Sequence, residues 1–197
     1  APDSSFVHLA LGILYTSRGQ FPAAEEHLTR ARAELPHDAQ VSLAFARLRR
    51  VQGNDRAELE ELERARSQEP ADADVLAELA DAYRLRGRYP EAGRTVRAAL
   101  DLEADNADAL VVMGHLQLHR ADYGAARDHA LWVLQHDAQH VGALTLLSAV
   151  KARRSFVLGL WWRYHTLLTS LGETRGMLVM VGAFGLYRAS LVALGDH

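Results

Sequence analysis

"HLALGILYTSRGQFPAAEEHLTRARAELP", residues 8–36, decides how the rest of the chain reads. Small and apolar residues recur every three or four positions on both sides of Arg18-Gly19-Gln20, the period of two short amphipathic helices joined by a tight turn. The same punctuation returns downstream. Gly19, Gly53 and Gly87 lie 34 residues apart, as do Pro36 and Pro70, and Tyr89 and Tyr123, with Phe21 in the same phase. Three residue types sharing one period define a repeat. Phased on it, the chain divides into units 5–38, 39–72, 73–106 and 107–140, each with two helical stretches. A hairpin of this size cannot bury its apolar face alone, so the units must stack. Residues 141–154 follow as one further helix, with Leu144 and Leu147 in phase, and close the stack without completing another hairpin.

The pattern within the units resembles the tetratricopeptide repeat (TPR): a large residue, Leu-Gly, Tyr, a small residue, a bulky apolar one, a small one and Pro at fixed offsets. Unit one fills these places with His8, Leu11, Gly12, Tyr15, Ala24, Leu28, Ala31 and Pro36. Unit three supplies Leu76, Leu79, Ala80, Tyr83, Ala92, Val96 and Ala99, with Ala104 in place of the proline. Unit four supplies Leu110, Met113, Gly114, Ala126, Ala130 and Val133, but has Gln117 where Tyr is expected. Unit two is the poorest match, with Arg49 for the Tyr and Glu58 for the small residue, and this predicts looser packing of its helix pair. The resemblance implies an all-α fold: a right-handed TPR superhelix of four helix-turn-helix repeats plus a capping helix, residues 1–154.

By the same resemblance, the first helix of each unit lines a concave groove that binds a partner protein. Carried over by position, the groove shows Phe6, Leu9, Ile13 and Thr16 at one end. Its middle presents Arg47, Arg50, Asp81 and Arg84, and its far end Val111, His115 and His119. This grading from apolar to basic to histidine-bearing suits a peptide with an apolar anchor and an acidic group, because arginine forks carboxylates. Arg47, Arg50, Asp81, Arg84, His115 and His119 are the candidate recognition residues. The carboxylate clamp of chaperone-binding TPR domains needs lysine and asparagine at set groove positions. It is not expected in a chain whose single lysine is Lys151.

Other chemistries find little support. With no cysteine there are no disulfides, thiolate zinc sites or cysteine nucleophiles. A net charge of -3 provides no global field for nucleic acid. His115 with His119, and His136 with His140, have the four-residue spacing that can share a metal ion, but neither pair has an evident third ligand. No nucleophile elbow or phosphate-cradling glycine loop occurs, so no enzyme, cofactor or metal is expected.

Beyond Arg154 the composition changes. Residues 155–197, "SFVLGLWWRYHTLLTSLGETRGMLVMVGAFGLYRASLVALGDH", are hydrophobic and aromatic, and are read as C-terminal helices. Residues 176–194 approach the roughly 20 needed for a membrane span and are interrupted only by Arg188. Their Leu, Val and Phe contribute about -2.4 to -4.8 kcal/mol against a cost of about 2.5–3.5 for the arginine, which lies off centre. Trp161, Trp162 and Tyr164 suit the headgroup level, and Met177, Val181, Phe184 and Tyr187 belong to a stretch without a polar face. The tail is therefore expected to meet a membrane or dock between subunits of a membrane complex. Lys151, Arg153 and Arg154 favour repeats on the cytoplasmic side of a bacterial inner membrane. The expected function is a non-catalytic scaffold or adaptor that holds a partner protein in the groove. The alternatives are a soluble assembly factor or co-chaperone whose tail is a cap, and an accessory subunit of a larger membrane enzyme.

Overall fold

The computed structural model describes residues 2–154. Among them are nine helices and no strand: α1 (Pro2–Ser17), α2 (Phe21–Glu34), α3 (Ala39–Val51), α4 (Asp55–Gln68), α5 (Ala73–Leu85), α6 (Tyr89–Leu102), α7 (Ala107–His119), α8 (Tyr123–His136) and α9 (Val141–Arg154). Trp161, Trp162, Tyr164, Met177, Val181, Phe184 and Tyr187 lie outside the described residues, as do the expected C-terminal helices. No helix of the described residues is long and apolar enough to cross a membrane. By its contacts the chain divides between Leu147 and Ser148, within α9, and the packing below is that of the first part.

Each hairpin turn has the same construction. The N–H of Gln20 reaches back to the carbonyl of Tyr15 at 2.9 Å, and that of Gly19 to Thr16 at 3.1 Å. This is the Schellman closure, which needs a residue with positive φ just past the helix. Gly19, Gly53 and Gly87 supply it at φ of 70°, 70° and 72°. The fourth turn is closed by the same bonds, from Asp122 to Gln117 and from Ala121 to Leu118, but Ala121 carries the positive φ, at 63°.

Helix starts repeat as well. Asp38, Asp72 and Asn106 cap α3, α5 and α7 by accepting N–H groups of the first turn, which otherwise lack partners. His140 stands next in phase, and its Nδ1 accepts the N–H of Ala143 at 3.2 Å, opening α9.

The core follows the small and bulky positions. Ala24, Leu28 and Ala31 of α2, Ala92, Val96 and Ala99 of α6, and Ala126, Ala130 and Val133 of α8 are buried. Gly114 lets α9 close in: a Cβ there would fall 2.3 Å from Leu146 Cδ2. The expected loose packing of the second hairpin does not occur, since α3 and α4 pack as extensively as α5 and α6. Glu58, 2% exposed, fills the small-residue place and binds Arg50 Nε at 2.5 Å and Arg86 Nη2 at 2.6 Å. An ion-paired carboxylate fills the gap that alanine leaves narrow elsewhere.

Candidate binding groove

The 34-residue period fixes which side chains can meet. The ninth and twelfth residues of each unit stand on one face of the first helix, so stacking places them in adjacent rows. The structure brings Arg47 and Arg50 of α3, Asp81 and Arg84 of α5, and His115 of α7 around one cavity of about 460 Å³. Ala77, Val111, Val112, Gly142 and Thr145 complete its apolar and small surface. Glu78 and Asp108 also line it.

Those two acids change the electrostatics. Arg47 donates from Nε to Glu78 Oε1 at 2.8 Å, and a second contact joins Nη2 to the same oxygen. Arg84 binds Asp81 Oδ1 through Nε at 2.8 Å and Nη2 at 2.7 Å. Arg50, which also lines the cavity, donates from Nε to Glu58 Oε1 at 2.5 Å. Burial alone would lower the Arg50 pKa, but the hydrogen bond and charge of Glu58, with Glu78 and Asp81 nearby, leave it raised. Asp108 lies 3.3 Å from His140 Nε2. The sequence reading of a basic middle thus gives way to a balanced one: three arginines, three carboxylates and a histidine around an apolar floor. Arg50 Nη2 and Glu78 Oε2 are buried without a hydrogen-bond partner. Unmet polar atoms of this kind cost about 1–3 kcal/mol each.

The remaining candidates sit elsewhere. His119 is exposed, does not line the cavity and stacks on Tyr89 with ring centroids 3.8 Å apart. At the other end Phe6 and Ile13 are exposed, whereas Leu9 is buried in the core of the first two hairpins. Thr16 gives its hydroxyl hydrogen to the carbonyl of Gly12 at 2.8 Å. The spaced histidines have local tasks: His136 Nδ1 donates to the Trp132 carbonyl at 2.9 Å, and His140 caps α9. Among the described residues no group of three His, Asp or Glu is placed to hold a metal ion.

Sequence reasoning missed Glu78 and Asp108. Asp108 is the second residue of unit four, a position already counted as groove-facing, so the period alone pointed to it. Glu78 is the sixth residue of unit three, where the other units carry Ala10, Ala44 and Val112, and nothing in the spacing marked it.

A family model described as "Tetratricopeptide repeat" matches residues 75–110, the third unit and the start of the fourth. No curated protein matches the chain in sequence. Among solved structures, a thermophilic TPR protein of Thermus thermophilus aligns with a TM-score of 0.68 at 17% identity, over 92% of this chain and 99% of that one. PilF of Pseudomonas aeruginosa aligns at 0.65 and 18% identity, over 98% of this chain and 89% of that one. A chain of the APC/C hetero-tetramer aligns at 0.61 and 20% identity over 75% of this chain, which spans 30% of that longer one. The third unit and the start of the fourth thus match the tetratricopeptide-repeat model, and the described helical hairpins share their fold with these solved structures.

Proposed function

We propose that the chain is a non-catalytic scaffold that holds a segment of a partner protein in the groove and, through residues 155–197, brings it to a membrane or membrane complex. Its repeats then lie on the cytoplasmic side of a bacterial inner membrane. The carrying observation is the cavity itself: side chains from α3, α5, α7 and α9 meet around an apolar floor, with charges of both signs at the rim. An apolar side chain of the partner fills the floor beside Ala77 and Val111. The orphan donor of Arg50 and orphan acceptor of Glu78 match the C=O and N–H of a peptide backbone, whose arrival relieves their unmet bonds. The membrane half rests on the sequence of 155–197 and the basic residues before it.

Arg50 is a poor probe, because reversing it would set a second carboxylate against buried Glu58. Thr145 is better: it is exposed, lines the cavity and lies in α9. Thr145→Trp is expected to fill the cavity and abolish capture of the partner identified by cross-linking to the wild-type chain, with circular dichroism unchanged. Retention of that partner at wild-type affinity would remove the groove assignment. For the tail, the full chain is expected to sediment with membranes and a chain lacking 155–197 to remain in the supernatant. A full chain found wholly in the supernatant would end the membrane reading.

A further inference from the structure

Each hairpin runs its two helices in opposite directions, so the turns after α1, α3, α5 and α7 fall along one edge of the array and the links between hairpins along the other. The two edges differ in charge. The links 35–38, 69–72, 103–106 and 137–140 hold Asp38, Glu69, Asp72, Glu103, Asp105 and Asp137, without a Lys or Arg. Glu69 shows the crowding: partial burial, the bond and charge of Asp72 and the charge of Asp38 raise its carboxyl pKa above the ordinary value. The turns 18–20, 52–54, 86–88 and 120–122 hold Arg18, Arg86, Arg88 and Arg120 against Asp122 alone. Arg86 turns inward to Glu58, whereas Arg18, Arg88 and Arg120 are exposed. Asp55 and Arg56, just past the second turn, offset each other. Val51 and Leu85, the last residues of α3 and α5, stand beside the turns and are 54% and 57% exposed. Both belong to inner hairpins, with a repeat on either side.

Distance keeps the edges electrically separate. Helices of 13 or 14 residues are about 20 Å long, roughly twice the 8–10 Å over which salt screens a charge. A surface that meets one edge therefore feels that edge alone, and an anionic surface is drawn to the turns and repelled by the links. The path of the chain points the same way. A Cβ on Gly142 would lie 3.2 Å from Val111 Cγ1, and one on Gly114 2.3 Å from Leu146 Cδ2, so α9 sets out beside α7 in the same direction. It leaves the link edge toward the turns, and Lys151, Arg153, Arg154 and the hydrophobic residues 155–197 follow in sequence. Resting on the membrane half of the function proposed above, we propose that the turn edge of the array is a docking surface for an anionic lipid bilayer. Arg18, Arg88 and Arg120 lie at the headgroups, where basic residues are held by anionic lipid. Val51 and Leu85 touch the boundary beneath them, and the acidic links face away.

The chain has no cysteine, so single introduced thiols can carry a fluorophore. Gln52→Cys, in the second turn, and Ala71→Cys, in the link that follows, replace exposed residues at opposite ends of α4. The full chain is bound to vesicles of phosphatidylcholine and phosphatidylglycerol that carry a headgroup nitroxide. The Gln52→Cys label is expected to be quenched and the Ala71→Cys label to stay bright. Adding Arg18→Glu with Arg120→Glu, or using phosphatidylcholine alone, is expected to erase the difference while circular dichroism stays unchanged. Equal quenching of the two labels, or stronger quenching of the Ala71→Cys label, overturns the proposal. A difference that survives both the double substitution and the loss of anionic lipid overturns it too, because the tail and not the edge then sets the orientation. So does a chain that sediments with the vesicles while neither label is quenched, and in that case the tail still anchors and the membrane reading stands. A chain that does not sediment removes the membrane reading and this docking surface together.

Discussion

The second and fourth hairpins depart from the repeat pattern in opposite ways. The second breaks it at two defining places, with Arg49 for the aromatic and Glu58 for the small residue, and packs fully. Arg49 forks Glu25 at 2.6 and 2.8 Å, and Glu58 ties Arg50 to Arg86. The fourth keeps Gly114, Ala126 and Ala130, yet its two helices meet less extensively than those of any other hairpin. It also holds an alanine in the left-handed turn that glycine occupies three times before. A mismatch to the pattern therefore does not measure looseness. What matters is whether neighbouring repeats supply the missing partner, and the second hairpin has them in Glu25 of α2 and in Arg86 just past α5.

The contrast can be broken most forcefully at Glu58. Replacing it with alanine restores the residue type of the other units but removes the carboxylate that Arg50 and Arg86 share, leaving Arg86 only the carbonyls of Ala82 and Asp55. Breaking a buried pair from one side costs about 3–5 kcal/mol, reduced here to about 2–4 because Arg50 remains partly exposed. Urea unfolding at neutral pH should register that loss, and a Glu58→Ala protein as stable as the wild type would show that the ion pairs are incidental. The fourth hairpin should respond with the opposite sign. Ala121→Gly relieves a left-handed alanine, worth about 1–2 kcal/mol, against the extra unfolded-state freedom of glycine, leaving a gain of about 0.5–1 kcal/mol. A lower unfolding midpoint for Ala121→Gly would contradict the strain.

The smallest effect separates the hairpins by pH. His129 of α8 is half-buried, and burial lowers its pKa below the ordinary 6.5 against the pull of Asp128 and Asp122. The unfolded chain then takes up the proton more readily than the folded one. His129 therefore lowers stability as pH falls through about 6.5 toward its folded value. His129→Gln should flatten that part of the stability–pH curve, and coincident curves for the two proteins would assign the acid sensitivity elsewhere.

The hairpins were legible because their cause is local. A 34-residue recurrence of glycine, proline and aromatics writes turns and close contacts directly into the chain, and the helices α3, α5, α7 and α9 begin at the first residue of their units. The groove was half legible. Counting nine and twelve residues into each unit found Arg47, Arg50, Asp81, Arg84 and His115 around one cavity, whereas the thirteenth position gave His119, whose ring stacks on Tyr89 away from it. The carboxylate partners were not legible. Glu78 reaches Arg47 across 31 residues, and Arg86 reaches Glu58 across 28, and only stacking brings either pair together. Ala121 could have been found by adding one more period to Gly87, yet an alanine gives no sign of a left-handed turn.

The salt-linked rim of the groove sets the terms on which anything enters it. Arg47 and Arg84 already hold carboxylates of their own chain, so an incoming acid gains either of these two guanidinium groups only by displacing Glu78 or Asp81, and the displaced group must be rehoused. Such a swap leaves the number of ion pairs almost unchanged. For the partner segment proposed above, selectivity would then fall to how well a side chain fits the small surface of Ala77, Gly142 and Thr145, and ionic strength would tune it only slightly.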